Sequence, residues 1–217
     1  MNHYATYFDR GYLAQGVALW RSLARHDPEA ELTVLALDDE TAAVLLAIGG
    51  GRLRVLPLAE LLAADAALSA AQAERTRPEF VFALTPCLVR HLFAARPEVG
   101  RWIYLDADLF FFAAPAPIWA ELTGGSVLVV PHRYPAWQDD AARYGRFNVG
   151  VVGGRNDAGA REGVDWWRAR CLESTALAGD GTRFGDQKYL DAWPHRFADV
   201  VESMHPGVNV APWNWAR

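Results

Sequence analysis

The acids of Asp106-Ala107-Asp108 stand inside the run Trp102-Ile103-Tyr104-Leu105-Asp106-Ala107-Asp108-Leu109-Phe110-Phe111-Phe112. An apolar strand delivers two carboxylates at i and i+2, and apolar sequence resumes at once. Side chains at that spacing in an extended segment project to the same side. Held together they repel, and burial penalises each unless a cation lies between them. A hard divalent ion suits such a pair. Mg2+ or Mn2+ takes oxygen ligands and keeps open positions for phosphate oxygens. The spacing therefore points to a metal that holds a nucleoside diphosphate. A turn after a strand, with Asp as a loop or cap residue, explains the same three residues, because D-x-D is short and common by chance.

Composition narrows the classes. A chain of 217 residues with 52% hydrophobic residues has the size and the apolar content for one domain with its own core. The formal charge of -5 argues against nonspecific nucleic-acid binding, which needs a basic face. It leaves room for a nucleotide held through a metal. Cys87 and Cys171 are far apart and without CxxC spacing, and read as reduced core thiols. No secretory apolar segment follows Met1, and no charge-free apolar run approaches the ~20 residues that cross a bilayer. The expectation is a cytoplasmic enzyme, with peripheral contact at the inner membrane face left open. Of nine Trp, Trp119, Trp166 and Trp167 fall in helix-like stretches and read as packing. Trp213 and Trp215 lie in a Pro/Asn-rich segment, where stacking on a sugar ring competes with packing.

The elements that must position the carboxylates follow from periodicity. His3 to Phe8 reads as a strand, and Leu13, Val17, Trp20 and Leu23 recur at helical spacing to about His26. Leu32 to Leu37 is a second strand. Asp38-Asp39-Glu40 opens a helix that ends at Gly49-Gly50-Gly51, and Leu53 to Leu56 is a third strand. Strand, helix, strand, helix, strand is the pattern of a parallel sheet with helices on its faces. Residues 57 to 74 read as helical. A longer helix runs from Pro78 to Ala95 with Pro86 as a kink or boundary. Arg101 to Leu105 is the strand that carries the acids, and Pro115-Ala116-Pro117 opens a helix to Leu122. Val127 to Val130 and Val149 to Val152 are strands on either side of an irregular segment, 131 to 146, that reads as a loop over a site. Asp157 to Leu177 reads as a helix, broken by Gly179-Asp180-Gly181, and Asp186 to Trp193 as a short helix stopped by Pro194. The fold expectation is α/β, a single domain over 1–217 with a mostly parallel central sheet flanked by helices. The chain stops just after Pro-Trp-Asn-Trp, so either its last residues close a small fold or it is truncated at the C-terminus.

No GxxxxGK is present, and no GxGxxG follows the first strand. Ligands of open α/β sheets sit beyond the carboxyl ends of strands. Asp9 and Tyr12 follow the first strand, Asp106 and Asp108 follow the fourth, and Asn148 opens a strand beside that edge. Five blocks then match one family in order across nearly the whole chain. They are Thr6-Tyr7-Phe8-Asp9-Arg10-Gly11-Tyr12, Tyr104-Leu105-Asp106-Ala107-Asp108, Phe147-Asn148-Val149-Gly150, Gly185-Asp186-Gln187-Lys188-Tyr189-Leu190, and His205-Pro206-Gly207 with Pro212-Trp213. In these blocks the chain resembles the GT-A-fold glycosyltransferases. It is similar to family 8, the group of glycogenin and the bacterial lipooligosaccharide galactosyltransferases.

The resemblance implies a retaining, divalent-metal-dependent hexosyltransferase. It would move a sugar from a nucleotide-diphosphate donor, a UDP-sugar, to an acceptor hydroxyl on a saccharide, lipid-linked or protein acceptor. It implies that Asp9 accepts from the uracil edge and Tyr12 stacks on it, with Tyr7 and Gly207 also lining the donor. Asp106 and Asp108 would hold Mn2+ or Mg2+ against the diphosphate, with His205 as third protein ligand. Asn148 would contact the donor sugar, and Asp186 and Gln187 would face the reacting carbon. Each residue has a plain alternative. Asp9 suits a turn, Tyr12 a buried helix position, Asn148 a loop, Asp186 a helix cap, and His205 a surface imidazole. The chain departs from the family at Ala211, where Lys commonly precedes the final Pro-Trp and grips the diphosphate; Arg133 and Lys188 are the candidate substitutes. A non-catalytic or truncated nucleotide-sugar-binding protein is the alternative function. A nucleotidyltransferase ranks lower, because the first turn has one Gly and one Arg where a Gly-rich basic signature is expected.

Overall fold

A computed structural model describes residues 1–135, 137–138, 141–177, 181 and 183–215. One seven-stranded sheet organises them. Its strands are β1 (Asn2–Phe8), β2 (Ala30–Ala36), β3 (Leu53–Pro57), β4 (Arg101–Leu105), β5 (Val127–Pro131), β6 (Phe147–Arg155) and β7 (Val200–Glu202). They lie in the order β3-β2-β1-β4-β6-β5-β7. β3, β2, β1 and β4 are mutually parallel, and β5 is parallel to β7. β6 alone runs against both its neighbours. The expected mostly parallel α/β sheet is present.

Alternation along the strands makes two apolar faces. Tyr4, Ile103, Leu128 and Val151 face one side, packed on Leu19 and Leu23 of α1 (Leu13–His26) and on Leu45 of α2 (Asp39–Ile48). Ala5, Tyr104, Val127 and Val152 face the other. They pack on Leu61 of α3 (Leu58–Ala64), Leu68 of α4 (Ala66–Glu74), Leu84 and Leu88 of α5 (Arg77–Ala95), and more distant helices. Cys87 and Cys171 are buried and unbridged on this side, as expected. α6 (Ala116–Leu122) puts Trp119 against the first face, where its indole donates to Tyr4 at 2.7 Å. The remaining helices are α7 (Ala141–Tyr144), α8 (Ala158–Glu173) and α9 (Trp193–Arg196).

Four expectations change. The helix from 77 to 95 runs through Pro86, which is buried in its packed face. The missing N–H costs one helical bond, and burial between the sheet and α8 offsets it. α8 stops at Glu173, short of Leu177, because Arg75 reaches across to take the carbonyls of Cys171 (2.7 Å) and Leu172 that end it. Pro194 opens the turn α9 where it was expected to stop a helix, and a missing N–H costs nothing at a first position. The three-residue β7 has no readable periodicity in the sequence. Of the expected break at 179–181, Gly179 and Asp180 lie outside the described residues, as does the chain end at 216–217.

β7 matters because it leads directly into the segment that carries His205. It is brought in by a close backbone approach. A Cβ on Gly125 would lie 2.2 Å from the carbonyl oxygen of Asp199. That oxygen accepts from Ser126 N at 2.8 Å, where β5 and β7 begin to pair. Gly125→Ala is therefore expected to destabilise the fold by about 1–3 kcal/mol, read as a lower urea midpoint at unchanged slope. A wild-type midpoint would contradict this close approach.

Candidate active site

β4 ends at Leu105, and the next residue, Asp106, still pairs its N–H with Gly150 O on β6 at 2.9 Å. The carboxylate therefore leaves a strand whose end is held. Its Oδ1 accepts from the Tyr104 hydroxyl at 2.9 Å. Burial pushes Asp106 up to about 6; the Tyr104 bond opposes this and the nearby Asp108 charge adds to it. Asp108 is exposed, at the mouth of a cavity of about 490 Å3 that His205, Gly207 and Asn209 also line. Phe110, Phe111, Val151 and Val208 make much of its wall.

Asp186 arrives from another direction. It precedes a 3-10 turn at Gln187–Ala192 and is only 3% exposed. Its main-chain carbonyl accepts from the Trp167 indole at 2.9 Å. Burial pushes its carboxyl up to about 7, opposed by a hydrogen bond from Thr85 and reinforced by Asp106. Tyr7 lies between the two acids. Its hydroxyl is 3.2 Å from Thr85 Oγ1 and within hydrogen-bonding reach of Tyr104. The ends of β1 and β4, the middle of α5 and the start of the turn at Gln187 thus bring Tyr7, Thr85, Tyr104, Asp106 and Asp186 together. Thr85 and Tyr104 were not singled out in the sequence. Tyr104 had a signal, two residues before Asp106 on the same strand face; Thr85 had none.

Asn148 sits beside this group because β6 is antiparallel, so its first residues meet the end of β4. The Asn148 Oδ1 accepts from Gly150 N and from Asn209 Nδ2, both at 2.7 Å, and its Nδ2 lies 3.1 Å from His132 Nε2. A Cβ on Gly150 would stand 2.7 Å from that Oδ1, which explains the glycine of this block. The register shift in β5 between Val129 and Val130 falls opposite this point.

Other expected residues are placed as follows. Asp9 Oδ1 accepts from Gly11 N at 2.9 Å and Oδ2 pairs with Arg77, so a base edge would share this carboxylate with a guanidinium. Asp9 and Arg77 line a second cavity of about 520 Å3 with Asp38, and Tyr12 is 53% exposed nearby in sequence. Gln187 donates its amide to Tyr144 O at 2.7 Å, tying down α7. Arg133 donates to the carbonyls of Val208 (2.9 Å), Ser203 (3.1 Å) and His205 (3.0 Å), and Lys188 pairs with Asp191 at 3.1 Å. Both candidate substitutes for a lysine at 211 thus have structural partners. Trp213 donates to His132 O at 2.9 Å and packs on His132 and Tyr134, so it is a tether; Trp215 is 81% exposed. Trp119 and Trp167 are buried as expected.

The fit to a metal is uneven. Among the described residues, no ion pair reaches Asp106, Asp108 or Asp186, so this acidic group lacks a neutralising side chain. A carboxylate pair in that state suits a hard divalent ion. Yet no three His, Cys, Asp or Glu among the described residues are gathered tightly enough to hold one as placed. His205 Nδ1 accepts from Gly207 N at 3.2 Å, which leaves the ring's proton on Nε2. A ligating Nε2 needs the opposite tautomer. Asp106 and Asp108 fit the ion; His205 fits only once that bond is exchanged.

No family model matches the chain. Two curated proteins of Bacillus subtilis (strain 168) do. The uncharacterized protein YfnF is 32% identical over 221 residues, covering 99% of this chain and 72% of that protein. The uncharacterized protein YfnD is 32% identical over 215 residues, covering 98% and 68%. This chain belongs to their family. Solved structures give its fold. The galactosyltransferase LgtC, in complex with donor and acceptor sugar analogs, aligns with a TM-score of 0.60 at 16% identity over 93% of this chain and 73% of that one. Mouse xyloside xylosyltransferase 1 aligns at 0.50, 19% identity, 85% and 80%. GlyE of Streptococcus pneumoniae TIGR4 aligns at 0.57, 13% identity, 94% and 45%. The family has the GT-A glycosyltransferase fold. Among the described residues, no helix is long and apolar enough to cross a membrane.

If Asp106 ligates a cation, protons compete with it for the carboxylate. Below a pKa of about 6 the carboxyl is neutral, so Mn2+ affinity is expected to fall from pH 7 to pH 5, approaching tenfold per unit at the acid end. Electron paramagnetic resonance titration of free Mn2+ reads this directly. An affinity flat across that range would remove Asp106 from the ligand set.

Proposed function

We propose that this chain is a glycosyltransferase that moves a sugar from a nucleoside diphosphate donor, a UDP-sugar, to an acceptor hydroxyl. The observation that carries this reading is the group of Asp106, Asp108 and Asp186 at the end of β4 in a GT-A fold, to which no ion pair is made among the described residues. LgtC, a galactosyltransferase with the same fold, is described with donor and acceptor sugar analogs, and the same ligand classes are assigned here.

In this reading Asp106 and Asp108 hold Mn2+ or Mg2+, and His205 joins them after its ring is freed from Gly207. The ion would supply Lewis-acid stabilisation of the diphosphate leaving group. Asp9 and Tyr12 receive the base, with Arg77 holding Asp9 in place. Tyr7 and Gly207 line the donor. Asn148 presents an amide already oriented by Asn209 and His132, which suits a fixed contact to sugar hydroxyls. Asp186 faces the reacting carbon. A carboxyl pushed up to about 7 exchanges its proton at neutral pH, which suits proton handling better than a permanently ionised role. In the retaining outcome that the family resemblance implies, the leaving phosphate would take the acceptor's proton, and Asp186 would be left to orient the reacting groups. Gln187 would act indirectly here, by holding α7 against the site.

A second reading, nucleotide-sugar binding without transfer, is favoured by Ala211 and by the structural use of Arg133 and Lys188. Titrating UDP, GDP and ADP against thermal stability, with and without Mn2+, separates the readings. A ligand at 100 times its Kd adds about 2.7 kcal/mol to the native state. A Mn2+-dependent shift with UDP alone, followed by release of UDP from a sugar nucleotide, is the expected result. A shift without sugar release supports the second reading, and no shift with any nucleotide overturns both.

Asp108 is exposed, so Asp108→Asn is expected to keep the wild-type melting temperature within about 1 °C while losing Mn2+-dependent turnover by at least about 100-fold. Wild-type turnover by this variant would refute the metal assignment.

A further inference from the structure

His132 follows directly on β5 and is 4% exposed. Its ring stacks on Tyr134, with centroids 4.7 Å apart and planes at 11°, and Trp213 packs on it at 5.6 Å. Its main-chain carbonyl accepts from the Trp213 indole at 2.9 Å and from Asn214 Nδ2 at 3.0 Å. Its main-chain N–H donates to Arg146 O at 2.9 Å. A histidine held on so many sides presents one fixed ring edge. That edge meets Asn148, with His132 Nε2 at 3.1 Å from Asn148 Nδ2. An imidazole is a costly filler for such a place. Burial lowers its pKa, and its Nδ1 has no hydrogen-bond partner among the described residues. A phenylalanine would fill the same slot without that cost, so the nitrogen at Nε2 needs a reason.

The main chain decides which atoms donate. The oxygen and nitrogen of an asparagine amide can exchange places by a flip. Here Gly150 N–H settles the flip, because a main-chain nitrogen only donates and lies 2.7 Å from Asn148 Oδ1. Nδ2 therefore faces His132. An amide nitrogen does not accept, so His132 Nε2 must, which makes the ring neutral with its proton on Nδ1. Asn148 Oδ1 takes Gly150 N and Asn209 Nδ2, both at 2.7 Å, and so uses its two lone pairs. One of the two Nδ2 protons goes to His132, and one is left for a ligand. We propose that His132 is a positioning residue for sugar recognition. Its Nε2 holds the Asn148 amide so that this half-buried side chain offers a single directed N–H, which only an acceptor oxygen of the bound sugar can meet. The role in binding rests on the reading of Asn148 given above; the tautomer and the bond that set the orientation stand without it. The turn at Pro212–Asn214 acts one step further back, by fixing the histidine that fixes the asparagine.

His132→Phe keeps a stacking ring and removes the acceptor. His132→Gln places an amide oxygen about where Nε2 stood. Long-range 1H–15N NMR of the imidazoles at neutral pH, with His132→Phe to assign the signals, is expected to find His132 protonated at Nδ1 and bare at Nε2. A proton on Nε2, or a charged ring, overturns the proposal. Calorimetric titration then compares UDP with UDP-glucose and UDP-galactose. His132→Phe is expected to weaken the sugar nucleotide that the wild type holds by about fivefold, the loss of one oriented hydrogen bond, and to leave UDP within about twofold. His132→Gln is expected to restore most of the loss, and in an Asn148→Ala background His132→Phe is expected to add nothing. Unchanged binding of the sugar nucleotide, equal weakening of UDP, no rescue by Gln, or additive losses in the double variant each overturn the proposal, since the ring would then not act through Asn148. If the wild type binds no nucleotide, the transferase reading falls, and the tautomer by itself decides the bond from Asn148 to His132.

Discussion

Three carboxyl groups held near one another, with no side-chain ion pair among the described residues, govern this end of the molecule. Asp106 and Asp186 are each pushed up by burial, Asp108 adds to the pressure on Asp106, and Asp106 adds to that on Asp186. Crowding of this kind favours the protonated form, and both acids are accordingly pushed well above the ordinary carboxylate range. The surrounding hydroxyls of Tyr104, Tyr7 and Thr85 soften the cost without removing it. An interior built this way has affinity for positive charge before any ligand is named. It explains why polar side chains lie under the sheet face that otherwise carries Leu84, Val129 and Trp167.

The reversal of β6 is what allows distant parts of the chain to meet there. In a wholly parallel sheet only strand C-termini would face the site. Because β6 runs against β4, its first residues lie beside the end of β4, and Gly150, whose N–H is held by Asn148, pairs with Asp106. β6 also returns the chain to α8, whose Trp167 holds the main chain of Asp186.

Much of this was legible in the sequence and some was not. The parallel half could be read because each strand there is short, rich in apolar, aromatic or β-branched residues and set off by acids or glycines, as by Gly51 before Leu53 and Gly100 before Arg101. Asp106, Asp108 and Asp9 could be read because they interrupt or follow such runs. The tertiary partners could not. Thr85 looks like any helical threonine, and only the fold brings it to Asp186 across a separation of about a hundred residues. Pro86 misled because propensity penalises a proline that packing retains. Arg133 and Lys188 looked like phosphate ligands because a sequence shows charge without showing what the charge already holds.

Arg133 has one more consequence. It adopts a left-handed backbone at φ 53, and its guanidinium gathers the carbonyls of Ser203, His205 and Val208. These three bonds share one donor group, so they are lost together when that group leaves. The stretch from 203 to 208 is in that respect latched, not laced. A second latch of opposite charge closes on the same stretch, since Glu121 accepts from Ser203 Oγ and from the main-chain nitrogens of Met204 and His205, so the residues beside Asp108 are released only when both side chains let go.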